Sequence, residues 1–576
     1  MLKGISLCKG IAMAEAFIYK KETLVIPQKK CRQPEEELEK LDKALSKSVE
    51  EIKAIKEAAK DTLDQAHLEI FDAHIQMIND SEIINAVKPR VENDRENIAF
   101  AYQAVTDEYV TLFENMDDEY LKERAADIKD VRTRVLSHLL GVTLTDLSRI
   151  DKDVIIVAED LTPSDTAMLN LKYVKGFITQ IGGQTSHTAI MARALNVPAI
   201  CGVKNLLENV NQDDFLVVNA ITGEIIINPS QEELETFKAQ KQTFLEDQKR
   251  LKMYKDKRTL TLDHHHVGLF ANIGSPRDLE SAKSNGAEGI GLFRTEFLFM
   301  DTTTMPSLET QISHYQEVFE TIQPVIVRTI DIGGDKKLPY LSQDHEENPF
   351  LGHRAIRLCF EHQEIFKTQL KALLIASKDQ GELKIMIPMI ARADEITRTR
   401  AIIEEVIQSL EDEQIKYQKN IKLGIMIEIP SAALNIRYLT KHIDFISIGS
   451  NDLIQYLYAA DRMNEKVAYL YEPFDPTLLR LLDTIIKEAN QAGIETGLCG
   501  EMGSQKEIVL LLTAMGIDEI SMSPNSLLEA REMLSKVRYE DLKKLLENVL
   551  NVDDAEEVKK IVDSFVKTLS WKEMHK

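Results

Sequence analysis

The chain has 576 residues, several times the usual domain length, so two to four domains with sizeable cores are expected. Hydrophobic residues make up 44% and charged residues 28%, and the net charge of -24 argues against nucleic acid as a partner and favours a neutral or basic one. The cysteines Cys8, Cys31, Cys201, Cys359 and Cys499 stand far apart without metal-ligand spacing, and no stretch has the roughly 18 apolar residues of a spanning helix, so reduced thiols, a cytoplasmic location and no membrane insertion are expected.

Residues 1–33 form a short extended start. From 34 to 145 the period becomes helical, with Leu38, Leu41, Leu45, Val49, Ile52 and Ile55 at steps of three and four behind a Pro34-Glu-Glu-Glu first turn. Further amphipathic stretches, IFDAHIQMIND and YLKERAADIKDVRTRVLSHLL, contain neither Gly nor Pro, which predicts a helical bundle inserted into another domain. Residues 146–228 resume that domain: VIIVAED, VKGFITQIG, FLVVNA and GEIIIN alternate with short helical stretches such as SHTAIMARAL, giving a compact α/β unit with the extended start. Residues 229–262 are charged, lack Gly and read as a linker helix. Eight β-like runs then recur between helical patterns across 263–576: VGLFANI, GIGLFR, PVIVRTI, LKIMIPM, KLGIMIE, FISIG, IETGLC and EISMS. The expected fold is therefore a multidomain α/β protein ending in a (β/α)₈ barrel of the TIM type.

Phosphoryl transfer requires a nucleophile, a cationic clamp and, usually, a hard metal held by carboxylates. Barrel active sites lie at the carboxyl ends of the strands. Arg294 closes GIGLFR, Arg328 follows in VIVRTIDIGGD, Glu428 closes GIMIE, Asn451 and Asp452 follow FISIGS, and Cys499 closes IETGLC. Taken singly, each could be an ordinary solvated loop residue; as a set they converge on one mouth. Arginine offers a planar charged fork to phosphate and carboxylate oxygens, while Glu428 and Asp452 offer hard oxygens suited to Mg²⁺. Arg354 in NPFLGHRAIR and Arg462 in AADRMN are further cations that could reach the same ligand, whereas Arg357 is expected to make a surface ion pair.

The candidate nucleophile is His187, in FITQIGGQTSHTAIMARALNVPAICG. Two glycines allow close backbone approach there, and Thr185 or Ser186 can cap a helix at whose start His187 stands. A phosphorylated imidazole would be stabilised by the free N–H groups of that helix end. A lone histidine is more often structural, and the glycine and cap context is what favours the chemical reading.

The segments GGQTSHTAIMAR and DFISIGSNDLIQY strongly resemble the enzymes that use phosphoenolpyruvate. In order along the chain, GISLCKGIA, IFDAHIQMIND, YLKERAADIKD, LTPSDTAMLNL, FRTEFLFMD, VRTIDIGGDK, ENPFLGHRAIR, MIEIPSAA and GLCGEM resemble segments of the phosphoenolpyruvate-protein phosphotransferase family, enzyme I of the bacterial sugar phosphotransferase system. The resemblance implies phosphorylation of His187 on Nε2 and transfer of that group to a histidine-containing phosphocarrier protein docked on the helical insertion. It further implies that Arg294, Arg328, Arg354, Asn451, Asp452 and Arg462 bind phosphoenolpyruvate, that Glu428 and Asp452 hold Mg²⁺, that Cys499 protonates the enolate, and that the barrel forms a homodimer.

Two departures from the family pattern stand out: Cys8 where Ser is expected, and Gln184 where Arg is common beside the histidine. The triplet His264 to His266 precedes the first barrel strand and is expected to serve strand-entry packing at the end away from the mouth. ATP-linked relatives need a large nucleotide-grasping domain, for which the 186 residues before His187 leave no room beside the helical insertion. A phosphoenolpyruvate sensor without catalysis would need neither His187 nor Cys499.

Overall fold

A computed structural model describes residues 2–20, 24, 26–27, 30–59, 65–114, 119–142, 147, 150–162, 165–166, 169–183, 192, 197–300, 302, 304–333, 338, 340–341, 346–462, 464 and 466–574. The chain divides into two compact units, Met1–Asp247 and Gln248–Lys576. The division falls inside the helix Gln231–Lys252, within the stretch read as a linker.

The first unit is built on an eight-stranded sheet of β1 (Leu2–Lys3), β2 (Ile5–Cys8), β3 (Ile11–Tyr19), β4 (Val154–Ala158), β5 (Val174–Thr179), β6 (Ala199–Cys201), β7 (Phe215–Asn219) and β8 (Glu224–Ile227). Its order is β1-β8-β7-β3-β4-β5-β6-β2. The centre, β3 to β6, is parallel, and β4 is buried at every position, which is why VIIVA reads as an unbroken apolar run rather than an alternating one. Between β3 and β4 the chain leaves the sheet for a bundle whose described helices are Pro34–Ala59, Gln65–Ile78, Ser81–Glu92, Ile98–Glu114 and Glu119–Leu140. Leu41, Leu45 and Ile52 of the first helix meet Phe71, Val87, Tyr102 and Val135 of the others in a core of their own. This is the apolar stripe read from the sequence, closed by helix on helix.

In the second unit each of the eight runs forms one strand: β9 (Gly268–Ile273), β10 (Ile290–Arg294), β11 (Val325–Arg328), β12 (Leu383–Ile387), β13 (Ile421–Ile427), β14 (Phe445–Ile448), β15 (Glu495–Leu498) and β16 (Glu519–Met522). All neighbours pair in parallel and β16 pairs with β9, so the sheet is a closed barrel. Alternation along the strands sorts the side chains. Leu423, Ile425 and Ile427 of β13 face the surrounding helices, whereas Met426 joins Leu292, Ile326, Met386, Phe445 and Cys499 in the barrel interior.

The amino-terminal end of the barrel is closed by polar ties. Asp263 accepts from the backbone N–H groups of Tyr539 and Glu540, His265 stacks on Tyr539 with ring centroids 3.7 Å apart, and His266 Nε2 lies 3.1 Å from Glu288 Oε2. The histidine triplet thus lies in packing at the strand entry, and among the described residues no cluster of His, Cys, Asp or Glu is grouped to hold a metal ion. Arg531, 1% exposed, donates to the carbonyls of Tyr254, Lys255 and Gly286 and to Thr259 Oγ1. Gly286 has φ +68, and a Cβ there would stand 2.1 Å from the Lys255 carbonyl oxygen, so only glycine permits this approach. Arg531→Met should strand buried carbonyls without donors and lower the stability of the barrel by about 3 to 5 kcal/mol. Urea denaturation checks this: an unchanged barrel transition would contradict it.

Candidate active site in the barrel mouth

The strand ends of β10 and β11 set two arginines side by side, because Arg294 and Arg328 are register partners. Arg294 lies with its guanidinium carbon 5.3 Å from the centre of the Phe297 ring. Arg328 is buried at 7% exposure, pairs with Glu296, and places Nη1 3.1 Å from Asp331 Oδ2. Arg354 then grips the same carboxylate from the other side: its Nη2 stands 2.9 and 3.0 Å from the two oxygens of Asp331 and 3.4 Å from Asp452 Oδ2, while Nη1 donates to the Tyr456 hydroxyl at 3.2 Å. The result is a buried alternation of charges, Arg328, Asp331, Arg354, Asp452.

Glu428, the residue after β13, is 1% exposed, and its Oε1 accepts from the Met389 backbone N–H at 2.6 Å. Met389 is able to aim that N–H because it sits at φ 61. Burial raises the proton affinity of Glu428 well above the usual carboxylate range, and Asp452 and Asp331 raise it further against the opposing pull of Arg354 and Arg328. Asp452 lies on the first turn of the helix Ser450–Leu457, and its Oδ1 is buried with no hydrogen-bond partner among the described residues. Burial alone would lower Arg328 and Arg354; the facing carboxylates, Glu296 and Asp331 for the first and Asp331 and Asp452 for the second, more than offset it, so both stay cationic.

Cys499 follows β15, is 4% exposed, and sits with Sγ 3.7 Å from the Ile448 carbonyl oxygen. Burial pushes its thiol up to about 12, opposed by Ser447 and Arg328. Asn451 is held in place by Oδ1, which accepts from the Tyr471 hydroxyl and from the Glu501 N–H, each at 3.1 Å.

The mouth thus gathers Arg328, Arg354, Glu428 and Asp452 into one network, with Arg294 beside it in register and Cys499 within the field of Arg328 and Glu428. Arg462 is exposed on the loop after Ser450–Leu457; its backbone N–H donates to Gln455 Oε1 at 3.3 Å, and its charge acts on Tyr471, the partner of Asn451. Arg357 donates to the carbonyls of Leu351 and Gly352, and among the described residues it does not make the expected ion pair. His187 and Gln184 lie outside the described residues. Three partners escaped the sequence reading: Glu296, Asp331 and Tyr456. Glu296 and Asp331 lie two and three residues after the arginines, and that spacing was the available signal.

Three family models match the chain: the phosphoenolpyruvate-utilising enzyme, N-terminal, over residues 3–124, its mobile domain over 150–223, and its phosphoenolpyruvate-binding domain over 248–539. Relatives similar over nearly the whole length include the phosphoenolpyruvate-protein phosphotransferase of Priestia megaterium, 45% identical over 565 residues, which are 98% of each chain. That of Geobacillus stearothermophilus is 46% identical over 97% of this chain and 96% of its own, and that of Enterococcus faecalis 45% identical over 98% and 100%.

The raised proton affinity of Glu428 has a consequence for stability. Folding binds a proton there that the unfolded chain gives up above about 4.5, so the contribution is full below that value and is lost as the pH rises through the folded value. Glu428→Gln cannot ionise and keeps an acceptor for Met389. In metal-free buffer it should melt above the wild type at pH 8, with the gap closing toward pH 4.5; a gap constant across that range would contradict the assignment.

Proposed function

The chain belongs to the phosphoenolpyruvate-protein phosphotransferase family, and on that premise we propose that it transfers the phosphoryl group of phosphoenolpyruvate to its own His187 and from there to a histidine-containing phosphocarrier protein. This is the first step of phosphotransferase-system sugar uptake. The observation that carries the barrel's part in the reading is the buried alternation of Arg328, Asp331, Arg354 and Asp452 at the carboxyl ends of the strands. Guanidinium groups fixed by carboxylates lose little freedom when a small multiply charged anion arrives, and their forks match its oxygens.

Arg294, Arg328 and Arg354 would hold the phosphate and carboxylate of phosphoenolpyruvate, with Asn451 and Arg462 at the rim. The donor set of Glu428 and Asp452 suits Mg²⁺, which takes one or two carboxylates and leaves its other positions to substrate and water. Two features support that fit: Asp452 Oδ1 is a buried acceptor without a donor among the described residues, and Glu428 is pressed toward protonation partly by Asp452. When bound, the ion would neutralise charge on the phosphoryl oxygens.

In the transfer, the bond between phosphorus and the enol oxygen breaks, a bond from phosphorus to His187 Nε2 forms, and the enolate remains in the mouth. Cys499 gives its proton to the enolate carbon, yielding pyruvate. A thiol held near 12 keeps its proton at neutral pH and surrenders it only to a strong base. Docking of the carrier on the helical insertion, a homodimer through the barrel, and a cytoplasmic location complete the proposal; no described helix is long and apolar enough to cross a membrane.

Incubation with phosphate-labelled phosphoenolpyruvate, Mg²⁺ and the carrier should produce acid-labile label on His187 and then on the carrier. His187→Ala should abolish both, and full labelling at another histidine would overturn the assignment. Glu428→Ala should lower Mg²⁺-dependent turnover by about a hundredfold or more; normal activation by Mg²⁺ would remove this residue from the metal site.

A further inference from the structure

Beneath Cys499 the barrel interior carries a second acid that the reaction described above does not use. Glu519, the first residue of β16, is 3% exposed, and its Oε1 is buried with no hydrogen-bond partner among the described residues. Strand register fixes its place. Glu519 is the partner of Gly497 on β15, and Gly497 is the partner of Ser447 on β14, so Ser447 and Glu519 flank Gly497 from its two sides. Gly497 has no side chain to separate them; a Cβ there would stand 3.1 Å from the Glu519 carboxyl. Two residues on, along the same face of the chain, is Cys499.

Ser447 Oγ is fully buried, has no hydrogen-bond partner among the described residues, and is the hydroxyl that acts on the Cys499 thiol. On the other side of the carboxyl, β10 contributes a second glycine: a Cβ on Gly291 would meet Glu519 Oε1 at 2.3 Å and Ser521 Oγ at 2.6 Å. Ser521 Oγ donates to Asn272 Oδ1 at 2.6 Å, and Asn272 Nδ2 donates to the Cys499 carbonyl at 3.0 Å. Glycines on two strands thus make room for a carboxyl inside a barrel otherwise filled by Leu292, Ile326, Met386, Met426 and Phe445.

The groups that face Glu519 leave it neutral. Burial is the largest influence, Glu495 on β15 and Asp518 ahead of β16 add to it, and Lys384 on β12 opposes it, with the balance raising the carboxyl to about 8. Lys384 is committed elsewhere, its Nζ lying 2.8 and 2.7 Å from the two oxygens of Glu495. The side chain of Glu495 is 44% exposed, so this end of the file reaches solvent at the foot of the barrel.

We propose that Glu519 is the internal proton donor that recharges Cys499 after each turnover, acting through the hydroxyl of Ser447. The inference rests on the reading of Cys499 as the acid that protonates the enolate. Once Sγ has given its proton to carbon it is a thiolate in a buried site. Ser447 and Glu519 are not hydrogen-bonded to each other at rest; rotation of their side chains into the room left by Gly497 lets the Ser447 O–H proton pass to Sγ as the Glu519 O–H proton passes to Ser447 Oγ, and the Glu519 carboxylate regains a proton from water by way of the Lys384 and Glu495 end. No oxidant, reductant or further reactant is needed. Cys499 is thereby restored without opening the mouth to water.

Rapid-quench measurement of pyruvate on the intact chain with Mg²⁺, phosphoenolpyruvate and an excess of the carrier protein tests this. Cys499 begins protonated, so Glu519→Gln should form the first equivalent of pyruvate at the wild-type rate and slow every later turnover by about a hundredfold. Ser447→Ala, which deletes a single hydroxyl, should show the same split and decides the matter if Glu519→Gln does not fold. Equal rates in both phases, or equal slowing of both as a purely structural role would give, would overturn the proposal. Cys499→Ala separates the two levels: it should lose the first equivalent as well, and if it keeps a wild-type first turnover the acid reading itself fails, whatever Glu519 does.

Discussion

Two guanidinium groups buried in a barrel mouth carry a heavy desolvation cost unless carboxylates stand against them, and this requirement organises the site. Arg328 and Arg354 share Asp331, and each takes a further partner, Glu296 for the first and Asp452 for the second. Every ion in this series is fixed by its neighbours, so the arginines are held in place in advance of any ligand. The cost falls on Glu428, which enters a site already rich in negative charge and is driven toward its protonated form. A dication held there, as proposed, would reverse that pressure. The same crowding that disfavours the free carboxylate would then favour a metal ion together with an anionic substrate.

The barrel supplies the rigidity this arrangement needs. Parallel register places Arg294 beside Arg328 and sets Glu428, Asp452 and Cys499 on successive strand ends, so that these groups converge on one mouth. The interior below is divided. Apolar side chains fill most of it, while Ser447, Gly497, Glu519, Ser521 and Asn272 form a polar file along one side. The apolar part is what holds the Cys499 thiol near 12, and the polar part runs beside it toward the foot of the barrel.

Much of this was legible in the sequence because the barrel repeats a simple rule. Each apolar run became a strand, and each polar residue that closed a run, from Arg294 to Cys499, arrived at the mouth. The helical insertion was equally plain, since Leu41, Leu45 and Ile52 follow a period only a helix can bury on one face. What escaped were pairings. Asp331 and Glu296 lie within motifs whose arginines drew the functional reading, and one-dimensional spacing does not tell which carboxylate an arginine grips. Among the described residues Arg357 found backbone carbonyls in place of an acid for the same reason. Glu519 was hidden differently: the alternation of EISMS is the pattern of any half-polar strand, and only closure of the sheet turns its polar face into the inside of a barrel.

On the proposed reading, Glu428 holds a proton until metal and substrate bind and then gives it up. Calorimetry of Mg²⁺ and phosphoenolpyruvate binding to the His187→Ala chain, repeated near pH 7 in buffers of different ionisation enthalpy, counts that proton without any turnover. Net proton release in the wild-type mouth, lost in a Glu428→Gln background, is the predicted result. Binding whose heat is the same in every buffer would contradict it.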